Sequence, residues 1–109
     1  MEHIAKTPPP PYYAVIFTSM KGSEDKGYAE MAEHIAALGA EQQGFLGAES
    51  VREANGVGIT VSYWASLEAI AVWKNNEQHR KAQKLGADVW YDSFATRVCK
   101  VERHGLFKP

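Results

Sequence analysis

The sequence predicts an α+β fold in which a four-stranded antiparallel sheet carries helices on one face. Three observations predict it. Stretches rich in aromatic and β-branched residues alternate with stretches of helical periodicity in the order β-α-β-β-α-β, Asn55-Gly56 joins the two middle strands, and 109 residues leave room for a single core.

Taken in order, Pro8 to Pro11 form a four-proline run without backbone donors, so residues 1–11 read as an extended arm ahead of one domain over 12–109. Residues 12–20 form the first strand, with Tyr13, Val15 and Phe17 on one face and Ala14, Ile16 and Met20 on the other. Lys21-Gly22 ends it. Ser23 is the expected N-cap of the first helix, with Glu24 and Asp25 in its first turn. Tyr28, Met31, Ile35 and Leu38 form the buried stripe, His34 lies on the polar side, and Gly39 is the stop. Phe45 to Glu53 and Val57 to Ala65 pair as a hairpin, because Asn and Gly both tolerate the positive φ of a tight turn. On the third strand Val57, Ile59, Val61 and Tyr63 make an apolar face. Gly58, Thr60, Ser62 and Trp64 make a mixed one suited to a cavity wall or a dimer contact.

Ser66 caps a helix bearing Leu67, Ile70 and Trp73. After Asn75-Asn76 a second segment runs from Glu77 to about Leu85, and Gly86 ends it. The stretch from Trp90 to Arg103 is the last strand, with Phe94, Thr96 and Val98 alternating against Ala95, Arg97 and Cys99. Trp90 and Tyr91 read as interface residues. This order is the split βαβ arrangement of ferredoxin-like folds, which leaves one sheet face without helices. An apolar face of that size has to be covered, so a homodimer packed sheet to sheet, with a barrel-like centre, is expected.

Twelve Lys and Arg against thirteen Asp and Glu give a net charge of −1, which argues against nucleic acid as a partner. Cys99 is the one cysteine, so no internal disulfide forms; it reads as a small buried hydrophobe in a reducing compartment. No apolar run reaches the roughly 20 residues of a membrane span and Met1 to Thr7 lacks the core of a signal peptide, so the cytoplasm is expected. His3 and His104 stand near the termini. No cluster has the spacing of a metal site, and Gly56 and Gly58 belong to a hairpin rather than a phosphate loop.

The first strand, the Asn-Gly hairpin, the run Tyr63-Trp64-Ala65-Ser66-Leu67-Glu68-Ala69 and the run Trp73-Lys74-Asn75-Asn76-Glu77-Gln78-His79-Arg80-Lys81-Ala82 together resemble the antibiotic biosynthesis monooxygenase domain over roughly residues 12–104. The resemblance implies a dimeric α+β barrel with a pocket between helices and sheet in each subunit. Members of that family include cofactor-independent monooxygenases of polyphenolic substrates, haem-degrading oxygenases and proteins with no assigned reaction. The haem-degrading branch uses an Asn on the first strand, a Trp in the second helical region and an iron-ligating His beyond it. Trp73 matches the Trp, but residues 12–20 contain no Asn and Gln83 stands where the ligand would be.

His79 is the candidate base because imidazole titrates near neutrality; the plainer reading is a partly exposed helix residue among Gln78, Arg80 and Lys81. Trp73 is placed with it as a catalytic residue able to stack on a flat ring, although helical spacing from Leu67 and Ile70 also suits a core position. Trp64, Phe17 and Tyr63 are the expected substrate-binding aromatics, and Tyr13 and Tyr63 also suit the core. The functional expectation is a monooxygenase that oxidises a small aromatic or polyphenolic substrate with O₂, using neither a metal nor a nucleotide. Two other readings stand beside it: a non-catalytic dimeric binding or stress protein, and a haem-binding or haem-degrading protein.

Overall fold

The computed structural model describes residues 4–108, so the expectation for His3 lies outside the described residues. The elements are β1 (Tyr12–Lys21), α1 (Tyr28–Ala40), β2 (Phe45–Arg52), β3 (Val57–Trp64), α2 (Leu67–Lys74), α3 (Glu77–Leu85), a π-helical turn at Gly86–Trp90, and β4 (Tyr91–Val101). All neighbouring strands are antiparallel, in the order β2-β3-β1-β4. The fold is ferredoxin-like, as the element order predicts.

Register assigns the two faces. Tyr13, Val15, Phe17 and Ser19 lie opposite Trp64, Ser62, Thr60 and Gly58, so the mixed face of β3 shares its side with Phe17. Trp64 stacks on Trp73 of α2 and Arg52 reaches Tyr28 of α1, which makes this the helix side. The uniformly apolar row of β3 therefore faces away from the helices, where Val51 and Ile59 remain 66% and 42% exposed.

That second face is not bare along its whole length. Residues 4–11 run beside it with neither helix nor strand, and the Ala5 amide donates to Glu49 Oε2 at 3.0 Å. A Cβ on Gly47 would stand 3.0 Å from that of Ala5, so the glycine seats the arm. Thr7 donates to the Tyr12 hydroxyl, which is also 2.8 Å from His104 Nδ1.

Helix α1 begins at Tyr28, and its N-cap position falls on Gly27, four residues after the expected Ser23. Lys26 and Gly27 both have positive φ, which no helix can contain, and Asp25 rather than Ser23 receives the first amides, from Gly27 and Ala29. The Ser66 cap forms as expected, its hydroxyl accepting from the Ala69 amide at 3.1 Å. In the β2–β3 hairpin only Gly56 is left-handed, at φ 102°. Its amide closes a turn onto the Glu53 carbonyl while Asn55 Oδ1 takes the Val57 amide, so the loop is one residue longer than a two-residue turn. Cys99 is exposed rather than buried, because β4 is an edge strand and the side of it carrying Cys99 has no layer above. Trp90 and Tyr91 are also not surface contacts in this chain. The π-helical turn carries Trp90 inward to 5% exposure, where its indole donates to the Lys26 carbonyl, and Tyr91 packs on Phe17, Tyr28 and Phe94.

Candidate functional site

On the helix side, one end of the sheet carries an aromatic column. Phe45 and Trp64 sit opposite each other across β2 and β3 and meet edge to face, with centroids 5.4 Å apart. Trp73 stacks above Trp64 at 6.3 Å, and the His79 imidazole lies almost parallel on Trp73 at 4.2 Å and 10°. Local structure sets this stack. Trp73 is in the last turn of α2, and Asn76 then restarts the chain as α3 by accepting the amides of Gln78 and His79 at 3.0 and 3.1 Å. The break between the two helices is what turns His79 back over the Trp73 ring. Gly39 of α1 closes the other flank, since a Cβ there would stand 3.2 Å from the Trp73 ring.

His79 Nδ1 lies 3.0 Å from the Trp73 carbonyl oxygen. A carbonyl only accepts, so Nδ1 carries the proton and Nε2 holds the free lone pair. Burial lowers the pKa below its ordinary value near 6.5, and the hydrogen bond to Trp73 opposes that shift only in part. The imidazole is thus neutral at pH 7, fixed in one tautomer, with a basic nitrogen available.

The other end of the sheet carries a second aromatic group, Phe17, Tyr28, Trp90, Tyr91 and Phe94, built from edge-on and tilted contacts at 5.3 to 5.9 Å. Arg52 packs into it, 5.7 Å from the centroids of both Tyr28 and Tyr91. Burial, and then the hydrogen bond to Tyr28, hold the Tyr91 hydroxyl well above the usual tyrosine range. Between the two groups the strand surface is polar, with Ser50 and Thr60 hydroxyls 2.7 Å apart and Ser62 accepting from the Trp64 indole.

The structure therefore brings three of the expected residues, His79, Trp73 and Trp64, into one column. Phe17 shares their face but belongs to the second group. Tyr63 does not join them. It points to the helix-free side, edge to face with Tyr12, and donates to Glu49, with its pKa raised first by burial and then by that carboxylate. His34 is exposed, 2.5 Å from Gln78, and lines a shallow cleft of about 310 Å³ with Met31, Glu77 and Lys81. Sequence reading missed Phe45, Gly39 and Arg52. The first was detectable, because a register that places Trp64 at the end of β3 brings the opening residue of β2 beside it. Among the described residues no group of His, Cys, Asp and Glu could hold a metal ion, and no helix is long and apolar enough to cross a membrane.

A four-stranded antiparallel sheet in ferredoxin-like order, with its helices on one face, defines the class. The chain belongs to the antibiotic biosynthesis monooxygenase family, whose model matches residues 11–85. It is 56% identical over 108 residues to the uncharacterized protein YqjZ of Bacillus subtilis (strain 168), covering 99% of this chain and 95% of that one. Its fold is similar to that of SnoaB, a cofactor-independent oxygenase from Streptomyces nogalater, with a TM-score of 0.73 and 13% identity over 87% of this chain and 97% of the other. Protein SO0527 from Shewanella oneidensis has the same fold, with a TM-score of 0.76 and 6% identity over 91% of this chain and all of the other.

Proposed function

We propose that the protein is a monooxygenase that oxidises a small aromatic or polyphenolic molecule with O₂, as a cytoplasmic homodimer and without a metal or nucleotide cofactor. The observation that carries this reading is the neutral imidazole of His79, held flat on Trp73 with Nδ1 tied down and Nε2 free. Oxygenation without a cofactor needs a substrate that becomes electron-rich on losing a proton, and a half-buried neutral base supplies that step. His79 Nε2 takes a proton from an activated ring methylene. The carbanion passes electrons to O₂ and forms a C–O bond; loss of water then leaves a ring carbonyl. One oxygen atom ends in the product and the other in water, and the methylene carbon supplies all four electrons, so no external reductant enters.

In this reading His79 is the catalytic base. Trp73, whose one face is covered by the imidazole, positions it; Phe17 and the polar strip beside it form the substrate side of the sheet, with Trp64 buried behind Trp73 as support. Tyr63 lies apart from that side, on the helix-free face, where Val51 and Ile59 suit contact with a second subunit. The fold shared with the cofactor-independent oxygenase SnoaB supports the absence of a cofactor. A haem of the degrading branch does not suit the residues present, since Gln83 is exposed and a carboxamide does not replace an imidazole on iron.

Oxygen uptake with an anthrone, checked against the quinone and water formed, tests the reaction. His79→Ala is expected to lower the rate at least about tenfold, at the low end of what general base catalysis contributes, while the protein sediments at twice its 12.1 kDa chain mass. An unchanged rate in the variant would remove His79 from the chemistry, and a folded 12.1 kDa particle would remove the dimer.

A further inference from the structure

The β2–β3 hairpin closes at the end of the sheet opposite the aromatic column. Arg52 pairs with Gly58 there, six residues of β3 from Trp64, or roughly 20 Å at the rise of a strand. An open cleft of about 490 Å³ lies at this end, lined by Lys21, Gly22, Ser23, Tyr28, Arg52 and the turn from Glu53 to Gly56. We infer that this cleft is a binding site for an oxyanion, a carboxylate or phosphate group carried by a small molecule, received by Arg52 and Lys21.

The charges are the first reason. Both cations rest against the ring of Tyr28, Lys21 Nζ at 5.0 Å and Arg52 Cζ at 5.7 Å from its centroid. Their hydrogen bonds go to neutral acceptors only. Lys21 donates to the carbonyls of Gly22 and Glu24, and Arg52 to the Gly56 carbonyl and the Ser19 hydroxyl. Among the described residues neither forms an ion pair, although Glu53 lines the same cleft and Glu24 is taken by Lys26. Two like charges line one cleft, and among the described residues neither is paired with a carboxylate.

Backbone shape is the second reason. A Cβ at residue 58 would fall 2.5 Å from Arg52 Cζ, so only glycine lets the guanidinium lie down on the strand. There the two hydrogen bonds and the two tyrosine rings fix its plane. A guanidinium has five N–H donors, and two are committed, which leaves donors in the fixed geometry that a planar carboxylate or a phosphate accepts. The site is independent of the chemistry proposed for His79, because it lies at the far end of the hairpin.

The test uses the full chain labelled with ¹⁵N, at constant ionic strength, with inorganic phosphate and benzoate titrated separately. Saturable shifts of the Gly22, Gly56 and Gly58 amides are expected, and Lys21→Gln should weaken binding at least about fivefold, as the loss of a charge-assisted contact does. Saturation with benzoate alone identifies an aromatic carboxylate as the ligand class, phosphate alone a phosphorylated molecule, and both a general oxyanion site; each supports the inference. His79→Ala should leave the affinity unchanged. Arg52→Ala removes packing as well as charge, which is why Lys21→Gln is the deciding variant. Shifts that do not saturate with either probe, or an affinity that Lys21→Gln leaves intact, overturn it.

Discussion

The two aromatic groups on the helix side do opposite things with a basic side chain. The column of Phe45, Trp64 and Trp73 ends in His79, whose ring lies parallel to its neighbour and whose proton burial makes easier to lose. In the group of Phe17, Tyr28, Trp90, Tyr91 and Phe94, Arg52 packs against the two tyrosine rings as a guanidinium. The difference shows what decides whether an aromatic environment makes a base or a fixed charge. Desolvation removes the proton from a group whose pKa lies near 7, whereas it cannot do so for a guanidinium. There the π faces and neutral oxygens have to hold the charge in place.

Removing the centre of the column is the strongest way to break this contrast. Trp64 is 1% exposed and touches both Phe45 and Trp73, so Trp64→Ala should cost about 3–5 kcal/mol, read from the shift of a urea unfolding midpoint. A loss well under that range would mean that the column is decoration on a core held elsewhere. A smaller effect is expected at the other end, from Trp90→Phe. The ring is largely replaced but the Lys26 carbonyl loses its donor, which should cost about 1–3 kcal/mol and free the left-handed turn ahead of α1. Amide hydrogen exchange should then quicken at Tyr28 to Met31 while Trp73 and His79 keep their protection.

The smallest effect is the pH dependence that separates the two basic groups. The folded His79 has a pKa below 6.5, so between that lowered value and 6.5 the unfolded chain binds a proton that the folded chain does not. Stability from this group is therefore complete above about pH 7 and is lost as pH falls through the window. Unfolding midpoints near pH 7.5 and about pH 5.5 should differ less in His79→Gln than in the unaltered protein. An equal difference in both would mean that the imidazole is not desolvated. The acid limb of the proposed reaction should likewise fall below pH 6.5, because only the neutral ring accepts a proton.

Much of this architecture was legible from the residues. The strand faces follow from alternation, the Ser66 cap from a hydroxyl before an apolar helical stripe, and the hairpin from Asn55-Gly56. The stacking of His79 on Trp73 was half legible, since both were singled out. Their meeting depends on the restart at Asn76, whose capping role a kinked helix only suggests. What stayed hidden depends on partners distant in sequence. Gly27 rather than Ser23 stands at the cap position, with Asp25 taking the first amides, because Lys26-Gly27 turns left-handed, and the indole of Trp90, 64 residues from Lys26, donates into that turn. Arg52 reads as one more charged residue until the register places Gly58 beneath it. The exposure of Cys99 follows from strand order, which alternation along a single strand does not contain.

The arm from Ala5 to Thr7 divides the helix-free surface into a terrace and a step. Beyond the step Val51 and Ile59 lie open; under it Gly47 and Glu49 meet one thickness of peptide at Ala5. A second copy laid on the open terrace would have to clear the arm, so this short stretch of chain would limit how far two such surfaces could overlap.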